Sequence, residues 1–157
     1  MLSPETTAFL EGGPGLIVGT VGSDGAPAAT RAWGLTVLSS EAGECRLLLD
    51  RAAERALANL EATRSIAVTC ADVATFRSVQ LKGEVVLLEP ATDDDRKRSD
   101  DYVDAFFGAV IRTDGRDLAS LNQLRPNDIV ASIVRFAETF NQTPGPGAGA
   151  ALRTGPG

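Results

Sequence analysis

The sequence predicts a mainly β protein, a small six-stranded antiparallel barrel with a few satellite helices. Three observations carry this. Six short apolar runs recur along 157 residues, turn-forming residues separate consecutive runs, and helical periodicity occurs only as single insertions. Strands and helices do not alternate regularly, which disfavours a doubly wound parallel sheet. A chain of this length buries one core and is too short for two full domains. We expect one domain over residues 1–140 and a Pro/Gly-rich arm or tail over 141–157.

Each element has a local reason. Ser3-Pro4-Glu5 starts a helix, because serine caps free N–H groups, proline suits the first turn and an acid suits the positive helix end; Gly12-Gly13-Pro14 stops it. Leu16–Val21 and Ala28–Leu38 are extended runs joined by the turn residues Ser23–Gly25, a hairpin pattern. Glu41–Glu44 turns the chain into a third strand, Cys45–Asp50. The period then becomes helical, with Ala52, Ala56, Leu57 and Leu60 on one face and Asp50 as the expected cap. Ser65–Cys70 and Phe76–Glu89 return to strand character, the second long enough to bend or bulge at Gly83. Thr92 and Asp93–Asp95 open another helix whose apolar stripe is Tyr102, Val103, Phe106 and Phe107. A short helix over Asp117–Leu124 and a last strand over Ile129–Phe136 complete the domain. From Asn141 onward, proline and glycine crowd the chain and exclude a regular element.

Composition excludes several functions. There is no histidine, which removes histidine acid–base catalysis, Ser/His and Cys/His nucleophiles, the usual zinc sites and His-ligated haem. Proton transfers must use Asp, Glu, Lys, Tyr, water or a cofactor atom. A formal charge of −6 disfavours duplex nucleic acid, which needs a clustered cationic face. Cys45 and Cys70 each lie inside an apolar run and read as buried thiols. The N-terminus has no basic start or signal-length apolar run, and no segment approaches a membrane span, so a soluble, cytoplasmic protein is expected, with no membrane partner.

The stretch "TVGSDGAPAATRAWG", Thr20–Gly34, raises the question of a phosphate loop. Its glycines fall as Gly19-x-x-Gly22-x-x-Gly25 and lead into another strand, so no helix N-terminus follows the turn to meet a pyrophosphate. A hairpin delivering Arg31 and Trp33 fits better. Arg51 and Arg55 lie on one helix face, and Arg77 and Lys82 on the long fifth strand. Convergence of these groups on a phosphate would suit their donor geometry. Trp33 is open between core packing and stacking on a planar ring.

The order "GLIVGTVGSDGAPAATRAWG", "CRLLLDRAAERALANLEATRSIAVT" and "FRSVQLKGEV" resembles the flavin-binding split barrels related to pyridoxamine 5′-phosphate oxidase, over about residues 9–140. The resemblance implies a homodimer with FMN at the subunit interface and a small-molecule substrate. It matches Arg31 to a strand arginine near the FMN phosphate, and Ala32, Trp33 and Gly34 to main chain passing the flavin. Leu49 and Asp50 match the following strand end, Arg55 the first of two basic phosphate ligands on the helix, and Ser78 a polar flavin contact. The second basic ligand falls on Ala56, with Arg51 the nearest substitute. The pyridoxamine-phosphate-binding C-terminal segment of true oxidases has no match. The implied function is an FMN-dependent oxidoreductase. The alternative is a non-catalytic module holding a flavin, coenzyme F420 or another ligand, or a protein with no cofactor.

Overall fold

The computed structural model describes residues 2–152. Helix α1 (Pro4–Glu11) precedes strands β1 (Gly15–Val21), β2 (Pro27–Ser39) and β3 (Glu44–Asp50). Helix α2 (Glu54–Thr63) leads to β4 (Ser65–Ala71) and β5 (Ser78–Pro90), and helices α3 (Asp93–Asp114) and α4 (Leu118–Asn122) lead to β6 (Ile129–Asn141). The six strands close into an antiparallel barrel in the order β1-β2-β3-β6-β5-β4.

Alternation along the strands sorts side chains into core and surface. On β1, Leu16, Val18 and Thr20 are buried while Ile17 is exposed. Leu47, Leu49, Val68, Leu81 and Val134 complete the interior, with Cys45 and Cys70 among them. Burial pushes the Cys45 thiol up to about 12 and also raises Cys70. Both thiols are therefore protonated and inert at neutral pH.

Local chemistry sets the ends of the elements. The Ser3 hydroxyl caps α1 through the Thr6 N–H. Thr92 and Asp95 form a reciprocal capping box at α3. That helix runs past Phe107 to Asp114, because Val110 and Ile111 extend its apolar stripe until Gly115 ends it in the left-handed conformation. The expected bulge at Gly83 is present, between Lys82 and Gly83 where β5 crosses β6. A Cβ there would lie 2.0 Å from the Arg135 carbonyl oxygen, so only glycine allows the strands this close.

Two boundaries differ from the sequence reading. Asp50 does not cap α2: its carboxylate accepts from the Ala52 N–H, its carbonyl accepts from the Ala53 N–H, and Ala53 occupies the cap position with no side-chain bond. The last strand continues from Phe136 to Asn141, and the arm folds back along it. Phe140 bridges Ala151, the Leu152 N–H donates to the Thr139 carbonyl, and the Asn141 N–H donates to Ala150. β3 reaches only to Arg135 on β6, so the returning arm covers an edge that would otherwise be open.

Candidate functional site

The β1–β2 connection is a hairpin turn, not a phosphate loop. Gly25 takes a φ of 78°, the Gly22 N–H donates to Ala26, and Asp24 accepts from the Ala26 N–H. Its product is Arg31, exposed on the outer face of β2 opposite Ile17. Among the described residues, Arg31 makes no salt bridge and no side-chain hydrogen bond. An exposed guanidinium that no carboxylate pairs is an available anion ligand.

Immediately after Arg31 the β2–β3 ladder slips between Ala32 and Leu35. A bulge leaves one backbone residue of β2 unpaired. Gly34 sits in it with a φ of 154°, and a Cβ there would meet Leu48 at 2.9 Å. Ala32 pairs with Leu49, so Asp50, the next residue of β3, lies beside the segment carrying Arg31. From Asp50 the chain turns directly into α2, which packs against β1 and β2. Asn59 donates to the Thr20 hydroxyl, and Thr63 to the Val21 carbonyl, fixing the helix over the hairpin.

The start of α2 is the feature the sequence reading missed. Treating Asp50 as its cap hid the fact that no side chain satisfies its first-turn N–H groups. Such groups, with the positive end of the helix dipole, favour an anion. Arg55 stands in this turn, exposed, and touches only Asp24 at 3.9 Å. The strand register thus sets Arg31, the bulged backbone, Leu49 and Asp50 side by side where β3 leads into α2, while the contact of Arg55 is to Asp24 in the hairpin turn.

The other basic residues lie elsewhere or are engaged. Arg51 is held 2.6 Å from Asp128, which also binds Arg96. Arg77, at the opposite end of the strands, pairs with Glu5 at 2.9 Å and lies over the Phe9 ring. Lys82 lies over Phe140. Ala56 is buried, so a longer basic side chain at that position would start inside the helix–barrel contact. Trp33 is 4% exposed and meets Phe107 edge to face, which settles its indole among the residues of α3. Ser78 lies three strands from Arg31, along the row Arg31, Ile17, Thr69, Gln80 and two residues beyond. Its hydroxyl donates to the Phe76 carbonyl.

A polar groove of about 640 Å³ adjoins the bulge, between α1, Gly34–Leu35 and the first half of α3. Glu11, Asp94, Lys97, Arg98, Asp101 and Tyr102 line it. The Tyr102 hydroxyl donates to the Pro14 carbonyl at 2.7 Å, and burial raises its pKa well above the ordinary tyrosine range. It is a fixed donor rather than a base. Among the described residues, no cluster of His, Cys, Asp and Glu is arranged to hold a metal ion. No helix there is long and apolar enough to cross a membrane.

A closed six-stranded antiparallel barrel with helices at its margins is the architecture of a split-barrel protein. The family model for pyridoxamine 5′-phosphate oxidase matches residues 2–131, and the chain belongs to that family. Among solved structures it is similar to HupZ from Group A Streptococcus, at 16% identity and TM-score 0.54, covering 95% of this chain and 100% of that one. An F420 reductase matches at 21% identity and TM-score 0.51, covering 87% and 98%. HutZ, the heme storage protein from Vibrio cholerae, matches at 18% identity and TM-score 0.51, covering 89% and 94%. At these identities the likeness shows the fold alone. No curated protein matches the sequence.

Proposed function

We propose that this chain is a flavin-binding split barrel that holds FMN and acts as an FMN-dependent oxidoreductase on a small organic substrate. The observation that supports it most is the free Arg31 guanidinium at the corner where α2 begins uncapped with Arg55 in its first turn. The donor chemistry fits a phosphate monoester: two guanidinium groups, and first-turn N–H groups that no side chain caps.

Arg31 and Arg55 hold the phosphate in this reading, and the bulged main chain at Ala32–Gly34 lies along the ring system. The flavin supplies the hydride and electron chemistry, while the protein binds and orients it. This suits a chain without histidine. The groove between Gly34 and Tyr102 is the proposed substrate site, with its mixed charges available to a polar molecule.

The resemblance to flavin-binding split barrels also supports a second copy of this chain as the partner. The outer face of the barrel carries small residues at Gly19, Ala29 and Ala67, with Ile17 42% exposed. Lys82 and Glu138 face each other across one row of it, a mixed pattern that is self-complementary under a two-fold axis.

The test of oxidoreductase activity is anaerobic addition of reduced nicotinamide to the FMN-loaded protein. Bleaching of the flavin absorbance, followed by its return on adding an electron acceptor, is expected. A flavin that stays bound and oxidised with every donor tried would instead identify a binding module without turnover.

A further inference from the structure

Strand β2 leaves β1 after Arg31, which pairs with Ile17, and from Ala32 to Ser39 it has a strand neighbour, β3, on one edge only. Helices α1 and α3 pack against β2. On the open edge the Val37 N–H donates to the Glu11 carboxylate at 3.3 Å. Backbone groups two residues apart on a strand point the same way, so the Leu35 N–H and carbonyl face this edge too. Leu35 lines the groove of about 640 Å³ between α1 and α3. That groove therefore meets a backbone donor and a backbone acceptor side by side.

Its charged lining is equally specific. Lys97 and Asp101 neutralise each other across 2.7 Å. Glu11, Asp94 and Arg98 also line the groove, and among the described residues none of the three makes a salt bridge. Arg98 reaches from α3 to β2 and donates to the Thr36 hydroxyl at 2.7 Å, while Glu11, at the end of α1, is bonded to Val37, the next residue. A guanidinium and a carboxylate are thus anchored from two helices to consecutive residues of one strand, and not to each other. Asp94 stands one helical turn before Arg98 on α3 and leaves the groove with one surplus negative charge. Unpaired charges of both signs are met by a ligand that carries the complementary set.

We propose that this groove binds a free α-amino acid with a basic side chain. The ligand carboxylate meets Arg98 and the Leu35 N–H, its α-ammonium meets Glu11 and the Leu35 carbonyl, and its side-chain cation meets Asp94. The ligand's net positive charge then offsets the surplus acid. This rests on the reading of the groove as the substrate site and names the class of molecule it takes. Binding itself calls on no flavin contact, because every group named belongs to α1, β2 or α3.

The test is isothermal titration of the full chain with lysine, with norleucine, which lacks the side-chain ammonium, and with 1,5-diaminopentane, which lacks the carboxylate. Lysine is expected to bind saturably and each of the other two about fivefold more weakly, the upper range of one exposed charge pair. Asp94→Asn is expected to abolish the preference for lysine over norleucine and keep that over the diamine; Arg98→Gln is expected to do the reverse. The paired comparison separates a charge contact from a general loss of structure. No saturable lysine binding, preferences that neither variant alters, or glutamate bound as tightly as lysine overturns the proposal. FMN titrated in parallel keeps the two readings apart. Uptake of FMN without lysine binding overturns this proposal alone, and lysine binding without FMN uptake supports it while overturning the flavin reading.

Discussion

Arg31 shows how far a single residue can be read. Its place on a strand after a Gly/Asp turn follows from the sequence, and so does its distinction from a phosphate loop, since the turn leads into a strand. Its lack of a partner does not follow, because whether a carboxylate lies within reach depends on strand register and on where helices dock. The same limit applies to Arg51, which reads as a substitute ligand until the fold brings Asp128 to 2.6 Å from it. Ala56 reads as a lost cation, yet its burial shows that the helix presents this position to the barrel. Two guanidinium groups therefore carry the proposed phosphate contact. Arg31→Ala and Arg55→Ala are each expected to weaken FMN binding at least tenfold, as loss of a charge-assisted bond of about 1.5–3 kcal/mol requires, measured by flavin fluorescence titration. Unchanged affinity in both variants would remove the phosphate from this corner.

Among the elements, α2 and α3 show opposite uses of a helix N-terminus. The start of α3 is closed: Thr92 and Asp95 cap each other, and Asp95 also forms a two-pronged bond with Arg46, at 2.6 Å to each oxygen. Arg46 reaches Glu89 as well. This network anchors α3 to β3 and β5, and so fixes the helix that buries Trp33 and walls the groove. The Arg46 guanidinium holds the Asp95 carboxyl well below the usual carboxylate range, with the Thr92 bonds adding to the effect. A carboxyl lowered on folding stabilises the protein fully above its unfolded pKa and loses that contribution as pH falls toward the folded value. Asp95→Asn is therefore expected to cost about 2–4 kcal/mol at pH 7 in denaturant unfolding. Its deficit relative to wild type should shrink progressively below about pH 4, near the ordinary carboxylate value. A deficit constant from pH 7 to pH 2 would show that the pair is not the source of the stability. The start of α2, by contrast, is open, and this is the element-level reason to expect an anion there.

At the scale of the whole molecule, the barrel was legible because period-two burial and turn residues recur along the chain, and because helices enter singly. Gly83 was legible as a bulge because a long strand with an internal glycine has few other ways to fit a small barrel. The length of β6 and the course of the arm were not. Glu138–Asn141 becomes strand through pairing with Val79–Lys82, a contact between residues more than fifty positions apart. Pro144–Gly149 turns the arm back, and its end bonds to Thr139 and Asn141 of that strand. The candidate site was legible in part for the same reason. Its strand residues follow from local pattern and family resemblance, whereas the uncapped helix depends on where Asp50 directs its carboxylate.

The central claim is that the corner formed by Arg31 and the start of α2 recognises the phosphate of a flavin. The most direct measurement compares the dissociation constants of FMN and riboflavin, which differ only in that phosphate, under identical low-salt conditions. FMN is expected to bind at least tenfold tighter than riboflavin, with the gap closing as salt is raised, since exposed charge pairs are screened. Equal affinity for the two, or no binding of either, would contradict it.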